Sequence, residues 1–185
     1  MAVHRNGFYF EFVDETDMRP TLDKALKGLL CVCFPEDRVL FSKSRYWNGV
    51  VPVYTVIVKN GQRIIGQLGI VSRTVVWNGE DITIAGVQSL CVTPDHRGKG
   101  LAKQLLAAAM EEAGRRDFPA GLLFCKPNLK QFYSGEGWKT VSGHVFYKRE
   151  EGKREDLLDM YITMYLSLRK NITNAGDIDL QGIDW

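Results

Sequence analysis

Two cations and two glycines alternate at Arg97-Gly98-Lys99-Gly100, and the chemistry open to that spacing is the binding of a phosphorylated anion. An apolar run ending in Leu90-Cys91-Val92 enters the stretch, Thr93-Pro94-Asp95-His96 turns the chain, and a helical pattern leaves it through Leu101-Ala102. Pro94 cannot donate to a ladder and Asp95 favours a turn. The glycines remove two β-carbons where the first turn of a helix leaves its N–H groups unpaired. Bare donors, the positive end of the helix dipole and the side chains of Arg97 and Lys99 suit a pyrophosphate held against backbone. A P-loop would need Gly-Lys followed by Ser or Thr, and a dinucleotide fingerprint would need a third Gly where Lys103 stands. Neither is present, and the ligand expected is nucleotide-like.

The elements that must position this turn follow from periodicity. A strand is expected over Phe8 to Val13. A helix should run from about Thr21, capped by that residue after Pro20, to Cys33, with Leu22, Ala25, Leu26, Leu29 and Leu30 at helical spacing. Pro35-Glu36-Asp37 ends it, and a polar, aromatic segment through Phe41, Tyr46 and Trp47 crosses to Val51 as a candidate substrate wall. Tyr54 to Val58, Ile64 to Val71 and Ile82 to Val92, punctuated by Asn60-Gly61 and Asn78-Gly79, read as antiparallel strands in sequence order. Gly86 inside the last of them marks an expected bulge. From Gly100 to Ala113, Leu101, Leu105, Leu106, Ala109, Met110 and Ala113 form one apolar stripe. Leu122 to Cys125 then makes strand, helix and strand one parallel crossover, where the sheet can splay. Tyr161 to Leu168 alternates as a last strand. The fold class is α/β (α+β), a mixed sheet, mostly antiparallel, with flanking helices.

A length of 185 residues, with 45% apolar and 25% charged content, describes one domain over residues 1–185, with a C-terminal strand and tail over about 159–185. The net charge of +2 comes from 24 basic and 22 acidic residues, well interspersed, so no nucleic-acid or membrane partner is expected. The opening residues lack a long apolar h-region and no run approaches a membrane span, which reads as a cytoplasmic protein. Cys31, Cys33, Cys91 and Cys125 sit in apolar surroundings and read as free thiols. With no paired Cys-x-x-Cys and with His4, His96 and His144 far apart, no metal is expected.

Arg97-Gly98-Lys99-Gly100-Leu101-Ala102 resembles the R/Q-x-x-G-x-G/A signature of the GNAT N-acetyltransferases. In that family the loop cradles the pyrophosphate of acetyl-CoA, so the resemblance implies acetyl-CoA as co-substrate, held by Arg97, Gly98, Lys99, Gly100, Leu101 and Ala102. It implies a V-shaped splay of the sheet, into which the pantetheine arm runs beside the backbone of Leu90, Cys91 and Val92. An N–H there would polarise the thioester carbonyl. Phe132-Tyr133-Ser134-Gly135-Glu136-Gly137-Trp138 is similar to the family's aromatic-Tyr-x-x-x-Gly-aromatic segment, which makes Tyr133 the proton donor to the leaving thiolate. Cys91, in an apolar strand with no His nearby in sequence, reads as a packed thiol and not as a nucleophile.

Within the family the layout resembles the aminoglycoside 2'-N-acetyltransferases. The tail Asp177-Ile-Asp-Leu-Gln-Gly-Ile-Asp184-Trp185 partly matches theirs, with Gln181 in place of an Arg. The comparison places Asp37 and Asp184 at substrate-binding positions and Trp185 at the position whose terminal carboxylate lies near the polyamine sugar. Gln88 falls where those enzymes keep a Glu as base, and an amide cannot take the proton of an alkylammonium. That role would pass to an ordered water, the terminal carboxylate or Asp184. The expected activity is acetyl transfer from acetyl-CoA to a primary amine by direct attack, on an aminoglycoside or another small cationic amine. Two alternatives stand beside it, a non-catalytic acyl-CoA sensor and an N-acyltransferase using other acyl donors. The partners expected are the small-molecule amine and at most a second copy of the chain in a homodimer.

Overall fold

Strand and helix formation follow the burial pattern set by the apolar positions. In the computed structural model, residues 2–5, 7–148, 153–157, 161–169, 172 and 176–185 are described. The chain divides into two compact units, Met1–Val71 with Gln88–Ala109, and Ser72–Val87 with Met110–Trp185.

In the first unit, β1 (Ala2–Arg5) and β2 (Phe8–Asp14) pair antiparallel, and β2 buries Phe10, Phe12 and Val13. Helix α1 spans Pro20–Cys33 and buries Leu26, Leu29, Leu30 and Cys33. Its cap is Arg19, not Thr21, because Pro20 has the fixed φ and the missing N–H that suit the first helical position. A 3-10 turn at Pro35–Asp37 ends α1 as expected. The following segment then holds a short helix, α2 (Arg38–Lys43), where only a crossing segment is expected from the sequence. Phe41, fully buried, supplies its anchor. Strands β3 (Tyr54–Asn60), β4 (Arg63–Trp77) and β5 (Glu80–Val92) follow. β2, β3 and β4 pair antiparallel, and the strand order is β1-β2-β3-β4-β5. Asn78 and Gly79, at φ 53° and 83°, form the tight β4–β5 turn read from the sequence. Helix α3 (Leu101–Arg115) buries Leu101, Leu105, Leu106, Ala108 and Ala109. The Tyr54 hydroxyl donates to the Ala109 carbonyl at 2.8 Å.

β4, β5 and α3 continue into the second unit, where β6 (Ala120–Cys125) lies parallel to β5, Ala85 opposite Gly121 and Gly86 opposite Leu122. Gly86 thus stands in register with β6. The left-handed residue of β5 is Ser89, at φ 54°. Glycine's freedom permits an irregularity but does not locate it. After α4 (Lys130–Ser134) come the short strands β7 (Lys139–Thr140), β8 (Val145–Lys148) and β9 (Arg154–Asp156), then β10 (Ile162–Ser167) and β11 (Ile178–Asp179). β10 pairs antiparallel with β6 and β7, while β11 joins β4 antiparallel and β8 parallel. The tail is packed, with Ile178, Leu180 and Trp185 buried. The expected start of the C-terminal segment, Asp159, lies outside the described residues. Among the described residues no helix is long and apolar enough to cross a membrane.

Candidate active site

The backbone of the first unit builds the turn expected to bind an anion. Val92 ends β5, and the Thr93 N–H donates to the Ile65 carbonyl at 2.8 Å. Pro94–His96 form a 3-10 turn, and Asp95 there takes hydrogen bonds from Thr93, His96 and Arg63, which together hold its carboxyl far below the usual carboxylate range. Arg63 Nη1 stands 2.6 Å from it. The side chain of Arg97 folds back so that Nε donates to the Val92 carbonyl at 3.1 Å, and Lys99 Nζ donates to the Asp95 carbonyl at 3.4 Å. Both cations remain exposed.

Gly98 and Gly100 adopt φ 76° and 73°, and a β-carbon on either would meet no atom within 4 Å. Their glycine identity thus serves the left-handed backbone, and the space above it stays open. The Gln104 N–H donates to the Gly100 carbonyl at 3.1 Å, which places Gly100 at the helix cap and the first N–H groups of α3 directly after it. A turn so formed, open above and flanked by two cations, has the chemistry of a pyrophosphate cradle.

Just upstream, Ser89 is buried and left-handed, and its hydroxyl has no hydrogen-bond partner among the described residues. Nothing in the residue type marks this position, and sequence reasoning missed it. Leu90 is half-buried, Cys91 and Val92 are buried. The Cys91 thiol is pushed up by hydrogen bonding to Cys33 and by burial, which keeps it protonated and inert. Gln88, only 4% exposed, uses its carboxamide at both ends, Nε2 donating to the Val50 carbonyl at 2.9 Å and Oε1 accepting from the Trp47 N–H at 3.4 Å. Asp37 closes the Pro35–Asp37 turn and is half-buried.

The second unit holds Tyr133, Asp184 and Trp185. Tyr133 lies on α4, 8% exposed, edge-on to Phe132 and Trp138 at 4.9 and 6.2 Å between ring centroids. Burial, helped by the nearby Cys125, pushes its phenol up to about 12. Trp185 packs its ring 4.8 Å from Phe124, with the Arg73 guanidinium 5.9 Å from the indole centroid. Asp184 is half-buried beside it. Among the described residues no three His, Cys, Asp or Glu side chains are grouped to hold a metal ion.

Fold and turn together define a mixed α/β protein whose strand-to-helix junction carries an open glycine turn flanked by two exposed cations. Residues 22–141 match the family described as "Acetyltransferase (GNAT) domain", and the chain belongs to that family of N-acetyltransferases. No curated protein matches at a significant level. Among solved structures, the chain is similar to the GNAT family N-acetyltransferase YhbS from Escherichia coli in complex with CoA. The TM-score is 0.63 at 18% identity, covering 93% of this chain and 89% of that one. An acyl-CoA N-acyltransferase from Pseudomonas aeruginosa aligns with TM-score 0.59 at 17% identity, over 85% of this chain and 98% of the other. An aminoglycoside 6'-N-acetyltransferase complexed with coenzyme A aligns with TM-score 0.58 at 14% identity, over 88% and 99%. At these identities the likeness speaks for the fold.

Proposed function

We propose that this protein transfers the acetyl group of acetyl-CoA to the primary amine of a small cationic molecule by direct attack. The observation that carries the reading is the turn of the first unit, where Gly98 and Gly100 are left-handed, unobstructed and followed at once by the N–H groups of α3. Those donors with Arg97 and Lys99 would hold the pyrophosphate, and the backbone of Leu90 to Val92 would run along the pantetheine. An N–H of that stretch would stabilise the oxyanion formed when the amine lone pair adds to the thioester carbonyl. Collapse of that adduct expels the CoA thiolate and leaves the amide, and the ammonium proton passes to solvent or a carboxylate.

Tyr133 is the group we assign to the departing thiolate. A phenol near 12 lies more than three units above a thiol of reference pKa about 8.5, so full proton transfer would be uphill. Tyr133 therefore serves by donating a hydrogen bond that strengthens as charge builds on sulfur. Gln88 supplies no base. Asp37 and Asp184 are the acids we assign to the cationic acceptor, for which an aminoglycoside is one member of the class.

Calorimetry with acetyl-CoA tests the cradle. Arg97→Glu and Gly100→Glu should each weaken binding by at least about tenfold, since each sets a carboxylate against the phosphates, and unchanged affinity would remove the turn from the site. Thiol release against a panel of aminoglycosides, polyamines and basic peptides then identifies the acceptor. A second reading, an acyl-CoA sensor, is favoured by one observation, the Gln88 amide occupied at both ends. Binding without turnover across the panel is its signature.

A further inference from the structure

Gln88 stands where an acid is expected from the family resemblance, and its surroundings account for the amide. The turn opposite it, Trp47–Gly49, is closed by the Val50 N–H donating to the Trp47 carbonyl at 2.9 Å, and carries Asn48 and Gly49 at φ 49° and 72°. Asn-Gly is the pair that most readily takes this left-handed conformation, and the turn it makes is exposed. Contacts on either side fix its place against the rest of the unit. Trp47 sets its ring edge-on to Phe41 at 4.7 Å and to Phe34 at 6.0 Å. Gln88 ties both ends of the turn, accepting from the Trp47 N–H and donating to the Val50 carbonyl.

The orientation of the amide is unambiguous, because its reversal would set two oxygens 2.9 Å apart. Room for its stem is reserved by Gly69 on β4, where a β-carbon would lie 3.2 Å from Gln88 Cγ and 3.5 Å from Pro52 Cβ. An ionised Glu would keep the acceptor but lose the donor, leaving the part-buried Val50 contact as oxygen against oxygen.

We propose that Gln88 is a positioning residue, the clamp that fixes the Trp47–Gly49 turn to β5 and so shapes the aromatic wall beside the acceptor. This deepens the acetyl-transfer reading, on which the wall's role rests, while the clamp itself can be measured without any acyl donor. The variants are Gln88→Met, which keeps size and removes both hydrogen bonds, and Gln88→Glu, which keeps both roles only while its carboxyl is protonated.

Hydrogen exchange of the Trp47 amide, corrected for intrinsic rate, reads the clamp directly, with the α3 amides as the control for global opening. At about pH 7.5 both variants should lose about tenfold or more of the Trp47 protection while α3 stays protected. At about pH 4.5 the Glu variant should recover most of it and the Met variant none, because burial at this 4%-exposed position raises a carboxyl above its reference value and only the protonated form can again donate to Val50. Wild-type protection in the Met variant, or a Glu variant indifferent to acid, would overturn the clamp. With an amine accepted in the turnover panel, Gln88→Met should raise the KM for that amine and spare the KM for acetyl-CoA. Faster turnover by Gln88→Glu, with a new acidic limb in its pH profile, would show that the position holds a base and would also overturn the proposal. Absence of turnover in the wild type would defeat the acetyl-transfer reading and leave the exchange result standing.

Discussion

Tyr133 keeps its ring in contact with Phe132 and Trp138, so the hydroxyl is the one part of the side chain that packing does not explain. Replacing it by Phe preserves those contacts. Tyr133→Phe should therefore lower kcat by roughly 10- to 100-fold, the span of one hydrogen bond made to a charged group, and leave acetyl-CoA affinity unchanged. Stopped-assay kinetics beside calorimetry separate the two quantities, and an unaltered kcat would take Tyr133 out of the mechanism. At this scale the legible residues are those whose identity encodes a backbone state. Gly98 and Gly100 announce the left-handed turn because few other residues tolerate φ 76° and 73°. Ser89 adopts φ 54° with a side chain that gives no such notice, since its conformation answers to its neighbours in space. Gln88 was legible as a departure from an acid, yet its two partners lie about forty residues away in sequence and could not be read from it.

Elements hold the connection from α2 to β3 in place at more than one point, and the second anchor is electrostatic. Arg45 is buried, with Nη2 at 2.6 Å from Glu15 and Nε at 2.6 Å from Asp23 on α1. Burial pushes the Asp23 carboxyl up, but hydrogen bonds from Lys27 and Arg45 outweigh it, and the net shift is downward. A carboxyl lowered in the folded state adds stability that is complete above its unfolded pKa, near 3.9, and is lost as pH falls through the folded value. Arg45→Ala takes the guanidinium from Glu15 and leaves Asp23 with Lys27 alone, and with the two carboxylate side chains 24% and 29% exposed the cost should be about 1–2 kcal/mol, between an exposed pair and a buried one. Urea unfolding at neutral pH reads that loss. Below about pH 4 the wild type should fall toward the variant, because protonation of Asp23 removes in the wild type what the substitution has already removed. Parallel acid dependence of the two proteins would count against the pairing. The helix α2 and the turn that follows it escaped sequence reading because their apolar residues are few and aromatic. Phe41 and Trp47 gain their structure from packing on one another and on Phe34, not from periodicity.

Across the whole chain, strands joined by tight turns and the strand–helix–strand crossover were legible, whereas the edges of the second unit were not. β8, β9 and β11 are too short to show an alternation, and they exist because each finds a partner strand. The tail makes the point most sharply, since a polar ending rich in Asp normally frays. Here the Ile178 and Leu180 N–H groups donate to the His144 and Phe146 carbonyls, each at 2.8 Å, and the Gly182 carbonyl accepts from Lys148 at 2.8 Å. Ile178, Leu180 and Trp185 are buried within the same unit, and each such side chain contributes about 1.5–3 kcal/mol. Together they amount to a large share of the roughly 5–15 kcal/mol that holds a domain folded. Deleting residues 177–185 should accordingly lower the thermal midpoint by more than about 10 °C or leave no cooperative transition. Leu180→Ala alone, which spares the ladder, should cost about 2–4 kcal/mol and keep a single sharp transition. If the deletion melted within about 2 °C of the intact chain, the tail would be dispensable to the fold. A role for Asp184 and Trp185 at the acceptor would then have to rest on turnover alone, because nothing structural would hold them there.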